Sequence, residues 1–224
     1  MNKAQVGKLL AFVVGVGLAV KVQAQIDGPE VVYRNGSDPV LGFYAPADNT
    51  VEYGDEIAFD GTNRVLTSLK LEYFSSEATG SMVVRIRQMD GDQVGGAGQA
   101  TFEPGTIAYE SPVIDLGANF NTVVIDEIPS TILGSRVAVT VQLSGIADGQ
   151  SVGPLLRNPP IIGASADDIW VSSGAADNLD WALATIPGAS ANFAVEIVAV
   201  PEPSTVILSI LGGAALFVAR RRRA

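Results

Sequence analysis

Chemistry in this chain falls to carboxylates, amides, hydroxyls and two indoles, because its 224 residues include no histidine and no cysteine. With neither present there is no imidazole base and no thiolate nucleophile, so the common triads and general bases are excluded. Disulfides and zinc sites of the nitrogen/sulfur kind are excluded with them. Paired carboxylates remain, and two of them flanking one bond hydrolyse glycosides. Three adjacent pairs are present: Asp55 with Glu56, Asp126 with Glu127, and Asp167 with Asp168. Neighbours along a strand point to opposite faces, so such pairs do not converge on one substrate. The sequence therefore reads as that of a non-enzyme.

Two binding chemistries are open to the same residues. Asp90 and Asp92 flank Gly91 in the glycine-rich stretch DGDQVGGAGQ, and Asp167 and Asp168 precede a strand-like run. Hard oxygen ligands of this kind suit calcium. Neither stretch has the twelve-residue EF-hand pattern, and aspartate beside glycine equally makes turns. These four aspartates are the candidate metal ligands, calcium is the one candidate ion, and no other cofactor is expected. The second chemistry is stacking on sugar rings. Trp170 lies between Ile169 and Val171, which belong to the opposite face, and Trp181 follows Asp180. If exposed, either indole offers a platform for a polysaccharide; the alternative is core packing with a locally satisfied N–H. On the sugar reading the domain is a carbohydrate-binding module for extracellular polysaccharide.

The elements that position these groups are strands. In residues 136–143, Val137, Val139, Val141 and Leu143 alternate with Arg136, Ala138, Thr140 and Gln142. The same period of two runs through residues 69–73, 82–87 and 193–199, and describes half-buried strands with one wet face. Shorter candidates are 31–34, 56–60, 107–110, 122–126 and 168–171. Turn signals punctuate them: Asn35-Gly36, Asp60-Gly61, Asp90-Gly91, Pro104-Gly105 and Asp148-Gly149. Residues 25–199 show no convincing amphipathic helix. The expected fold class is all-β, an antiparallel sandwich of jelly-roll-like design.

Charge separates this middle from the ends. All 24 acids lie between Asp27 and Glu202, against seven bases in the same stretch, a net −17. So acidic a body repels nucleic acid, and no nucleic-acid partner is expected. The other seven bases are terminal: Lys3, Lys8 and Lys21 before the body, Arg220, Arg221, Arg222 and Arg223 after it. Residues 1–24 have the build of a signal peptide, with Lys3 and Lys8, an apolar run of 12 at 9–20, and small residues at Val22 and Ala24. Cleavage is expected between Ala24 and Gln25. At the other end Pro201, Glu202 and Pro203 precede an apolar run of 15 at 205–219 and the four arginines. As a helix that run is about 22 Å long against a hydrocarbon core of about 30 Å. Arginines at its end snorkel to the headgroups and set the cytoplasmic side. The two prolines keep the stretch before it extended and open to a processing enzyme.

These last residues resemble the PEP-CTERM sorting signal: the Val-Pro-Glu-Pro-Ser stretch at 200–204, a transmembrane helix and an arginine cluster. The resemblance implies recognition by a membrane-embedded exosortase, removal of the tail, and transfer of the body to the cell surface or extracellular matrix. It implies bacteria that make extracellular polysaccharide as the setting. The β-sandwich also bears a diffuse likeness to the domains joined to such tails, which carries no site residues. The expected organisation is thus a signal helix (1–24), a β-sandwich (25–199) and a sorting tail (200–224).

Overall fold

In the computed structural model, residues 28–36, 41–46, 51–94, 101–172, 180–185 and 192–202 are described. The signal segment, the apolar run at 205–219 and the arginine cluster lie outside these residues, and so does Pro203. No helix occurs among the described residues, and none there is long and apolar enough to cross a membrane.

The strands in chain order are β1 (Glu30–Asn35), β2 (Gly42–Phe43), β3 (Glu52–Ala58), β4 (Val65–Ser75), β5 (Ser81–Gln88), β6 (Gln93–Val94), β7 (Thr101–Phe102), β8 (Ile107–Glu110) and β9 (Ile114–Asp115). Then follow β10 (Asn119–Ile125), β11 (Thr131–Ile132), β12 (Arg136–Ser144), β13 (Val152–Leu156), β14 (Pro160–Ile162), β15 (Ala164–Ser165), β16 (Ile169–Ser172), β17 (Trp181–Ala184) and β18 (Val195–Val200). All pairings are antiparallel. The first sheet runs β14-β1-β18-β4-β13-β2, and the second runs β17-β16-β3-β12-β5-β8. A separate hairpin joins β6 to β7.

β4 is the axis of the first sheet. One of its edges takes β18 along residues 65–71 and β13 along residues 73–75; the other takes β10 and β11. β12 plays that part in the second sheet, between β3 and β5. The alternation read from the sequence becomes the core. Val137, Val139, Val141 and Leu143 meet Met82, Val84 and Ile86 on one side and Leu69, Leu71, Val195 and Ile197 on the other, all buried in one cluster. Rings cross the gap, with Phe193 edge-on to Tyr53 at 6.2 Å between centroids.

Three strands depart from expectation. The strand placed at 56–60 begins four residues earlier, at Glu52, because the polar side chains of Glu52, Asp55 and Glu56 are buried here. The run at 193–199 becomes an isolated bridge at Phe193, to Leu156, followed by β18. β13, with the sequence VGPLL, shows no alternation, yet it pairs with β4; Gly153 leaves room for the Tyr44 backbone, and Tyr44 N–H donates to the Pro154 carbonyl at 2.9 Å.

Candidate functional site

β18 carries the chain out of the fold. It lies between β1 and β4, with Ala199 opposite Glu30 on one side and Leu66 on the other. Its last residue is held by Arg64 N–H, which donates to the Val200 carbonyl at 3.2 Å. Pro201 has no N–H to offer a ladder, and the strand ends there. Pro201 is half-buried and Glu202 is exposed. The expected motif therefore starts on the residue after the last ladder bond, with its acid in solvent. β1 is antiparallel to β18 and starts at Glu30, opposite Ala199, so the start of β1 and the end of β18 lie at the same end of the sandwich; the expected cleavage positions Ala24 and Gln25 lie outside the described residues.

The other sequence-predicted residues are scattered. Asp90 closes a turn: its Oδ1 accepts the Thr106 N–H at 2.7 Å, while the Asp92 carbonyl accepts Glu103 N–H at 2.9 Å. Asp167 and Asp168 lie in the connection between β15 and β16. Ser165 pairs with Ile57 and Trp170 with Gly54, five steps on one strand against three on β3. Asp167 accepts from Asn192 Nδ2 at 3.2 Å. Asp168 Oδ1 is buried without a hydrogen-bond partner, and burial, then the charge of Asp167, pushes its carboxyl up. The two aspartate pairs sit on different connections. Among the described residues no group of three or more acidic side chains stands close enough to hold a metal.

The tryptophans are buried, so of the two alternatives read from the sequence they take core packing and not an exposed stacking face. Trp170 is 0% exposed, with its indole N–H directed at Glu56 Oε2 at 3.4 Å. Trp181 is 8% exposed, and the Arg87 guanidinium lies over its ring at 5.6 Å. Trp170 does point away from the inter-sheet core, as its neighbours implied, but the outer side of the second sheet is itself covered. Glu52, Arg87, Ala138 and Thr140 on that side are all buried. Neither indole presents a face to a sugar.

Sequence reasoning missed two buried polar clusters. On the outer side of the second sheet, Glu52 accepts from Arg87 Nε at 2.7 Å, Arg87 Nη2 at 2.8 Å, Arg85 Nη1 at 3.1 Å and the Thr140 hydroxyl. Between the sheets, Asp55 accepts from the Ser165 hydroxyl at 2.7 Å and from Phe193 N–H at 2.8 Å. It thus ties β3 to the chain entering β18. Asp55 and Glu56 do point to opposite sides of the sheet. The signal for Asp55 was its place between Tyr53 and Ile57, on an apolar face.

Burial pushes the Asp55 carboxyl well above the usual carboxylate range; its two hydrogen bonds oppose this, and the charges of Asp168 and Glu56 add to it. The folded state therefore holds the proton more tightly than the unfolded chain, so stability falls as pH rises from about 3.9 through the raised folded value. Asp55→Asn keeps both partners, with Oδ1 accepting from Phe193 N–H and Nδ2 donating to Ser165, and removes the titration. The expected result is a melting temperature that declines from pH 4 to pH 8 in the parent relative to Asp55→Asn. A parent that gains on the variant as pH rises overturns the assignment.

Residues 199–223 match the family model described as the PEP-CTERM protein-sorting motif. The match begins inside β18, spans the exit point and takes in the apolar run and the four arginines. No curated protein and no solved structure matches the chain.

Proposed function

We propose that this chain is an exported, non-enzymatic protein of the cell surface or extracellular matrix. Residues 1–24 direct export and are cleaved before Gln25. The β-sandwich is the exported body. The tail holds it in the membrane until an exosortase-type enzyme processes it at Pro201, Glu202 and Pro203. The observation that carries this reading is the sorting-motif match at 199–223, placed where the last ladder bond of β18 ends. Cleavage at or beyond the motif leaves β18 in its sheet, so the body survives the removal of its tail intact.

The architecture supports the role of body rather than catalyst. Among the described acids, Asp90 is held in a turn, Asp55 in hydrogen bonds between strands and Glu52 in the arginine pairs of the second sheet. Successive long strands alternate between the two sheets: β3 in the second, β4 in the first, β5 in the second, β10 in the first, β12 in the second, β13 in the first. This alternation is what supports the jelly-roll reading.

The test is the mass of the mature protein. Material recovered from the exterior of an exosortase-bearing host should begin at Gln25 and lack any peptide containing Arg220, Arg221, Arg222 or Arg223. Released protein that retains Met1 or the arginine cluster overturns the proposal.

A further inference from the structure

Among the described strands, β10 is the longest with an unpaired edge. It pairs residue for residue with β4 from Asn119 opposite Ser75 to Ile125 opposite Leu69, with no shift in register. No described strand pairs with its other edge. Natural edge strands are blunted by shortness, charge, proline or a bulge. Here β14 is three residues long and begins with Pro160, β17 has four residues, and β8 carries Glu110 and a register shift. β10, with the sequence NFNTVVI, has seven residues and none of these devices.

Its outer face is apolar as well. Phe120 is 67% exposed and Val124 is 56% exposed. Phe120 ends a row of rings across the first sheet, 5.2 Å from Phe74, which is 4.8 Å from Phe43. The row stops at the open edge.

We propose that β10 pairs with β10 of a second copy of this chain, antiparallel about a two-fold axis at Thr122, joining two first sheets into one. Charge confines contact between copies to this edge. Each body carries a net −17, so two copies repel over most of their surfaces, whereas these seven residues are uncharged. The strand also matches itself. A two-fold at Thr122 sets Phe120 opposite Val124 at both ends, the aromatic with β-branched pairing that stabilises sheets, and lays all four side chains on the same face. The backbone groups of β10 that point away from β4 gain ladder partners.

The geometry also fixes where pairing occurs, and this part rests on the sorting role proposed for the tail. β10 and β18 are both antiparallel to β4, so β10 points toward the end where the tail leaves. Antiparallel pairing then directs the two tails oppositely. Two copies held in one bilayer cannot pair this way; released copies, or copies on facing surfaces, can.

The chain has no cysteine, so a single one reports the pairing. In the full chain, Thr122→Cys places two thiols across the axis, at the roughly 4.5–5.5 Å between Cβ atoms of directly opposed residues, which a disulfide closes with small adjustment. The control is Val113→Cys, 68% exposed and off the strand. Under mild oxidation at equal concentration, Thr122→Cys is expected to form linked dimer at least ten-fold faster than the control. Adding Val124→Lys at the exposed edge should abolish the difference while leaving circular dichroism unchanged. Equal rates for the two variants overturn the proposal. So does slowed maleimide labelling of the Thr122→Cys thiol by added polysaccharide with no dimer, which assigns the edge to a sugar. Detergent-solubilised chain gives the answer on pairing even if no protein is released, and so separates this inference from the sorting role.

Discussion

Replacing Pro201, Glu202 and Pro203 together by alanine is expected to leave the protein in the membrane fraction as an uncleaved precursor, with the released fraction reduced at least ten-fold. The cause is backbone geometry. Pro201 ends β18 because it cannot donate, and Pro203 keeps its predecessor out of the helical region. Alanine removes both restrictions and is the best helix former. On the proposed reading of the apolar run as a helix, that helix then extends outward through 201–204, and its own hydrogen bonds close over the bond a processing enzyme needs to reach. The body is untouched, because the last residue held in its ladders is Val200. Neutralising Arg220, Arg221, Arg222 and Arg223 is expected to act differently, by weakening stop-transfer and orientation. Membrane fractionation together with apparent mass in an exosortase-bearing host reads both. A triple-alanine variant released like the parent means that these three residues are not the signal.

The second large effect is on stability. Glu52→Ala is expected to cost about 3–5 kcal/mol, the loss seen when one partner of a buried ion pair is removed. For a domain of this size each kcal/mol moves the melting temperature by roughly 2–4 °C, so the drop is on the order of 6–20 °C. Glu52 holds both Arg87 and Arg85, and their side chains are 8% and 12% exposed. Arg85 keeps Glu110 at 2.6 Å and Gln142 at 2.9 Å after the change. Arg87 keeps the Gly105 carbonyl at 2.8 Å and the Trp181 ring, neither of which carries a charge. Glu110→Ala is the contrast: that carboxylate is half in water, and its pair with Arg85 is worth about 0–1 kcal/mol. Thermal melts of the two variants should therefore separate widely. A Glu52→Ala protein melting within a few degrees of the parent shows that the arginines reach solvent without it.

Where the sequence could be read, it was because one face of a strand was uniformly apolar and the other was not. Val137, Val139, Val141 and Leu143 stood out against Arg136 and Gln142, and Leu69, Leu71 and Tyr73 against Lys70 and Glu72; both runs became strands with those faces inward. The tail was legible for a similar reason, since prolines, an apolar run and arginines follow one another without tertiary context. The positions that escaped the sequence are those whose surroundings are set by residues far away along the chain. Trp170 alternates correctly with Ile169, yet the outer side of its sheet is sealed by neighbours far away in sequence. Asp55 occupies a core position because Ser165 and Phe193, 110 and 138 positions away, supply its donors. β13 was invisible because its fit is made by Gly153 giving way to the Tyr44 backbone, which leaves no mark in local hydropathy.

The pairing of β1 with β18 also imposes a schedule. The first sheet closes only when its first and last long strands meet, and Glu30 lies opposite Ala199, 169 positions along the chain. Contacts that distant form late, after local hairpins. A chain threaded outward from its N-terminus delivers β18 at the end, with the apolar run four residues behind Val200. On the proposed route the body completes its first sheet only when β18 is delivered, just ahead of the tail. Until then the facing edges of β1 and β4 stand open, the state in which partly folded β proteins aggregate. On the proposed sorting route, the step that completes the first sheet and the arrival of the apolar run thus fall within a few residues of each other.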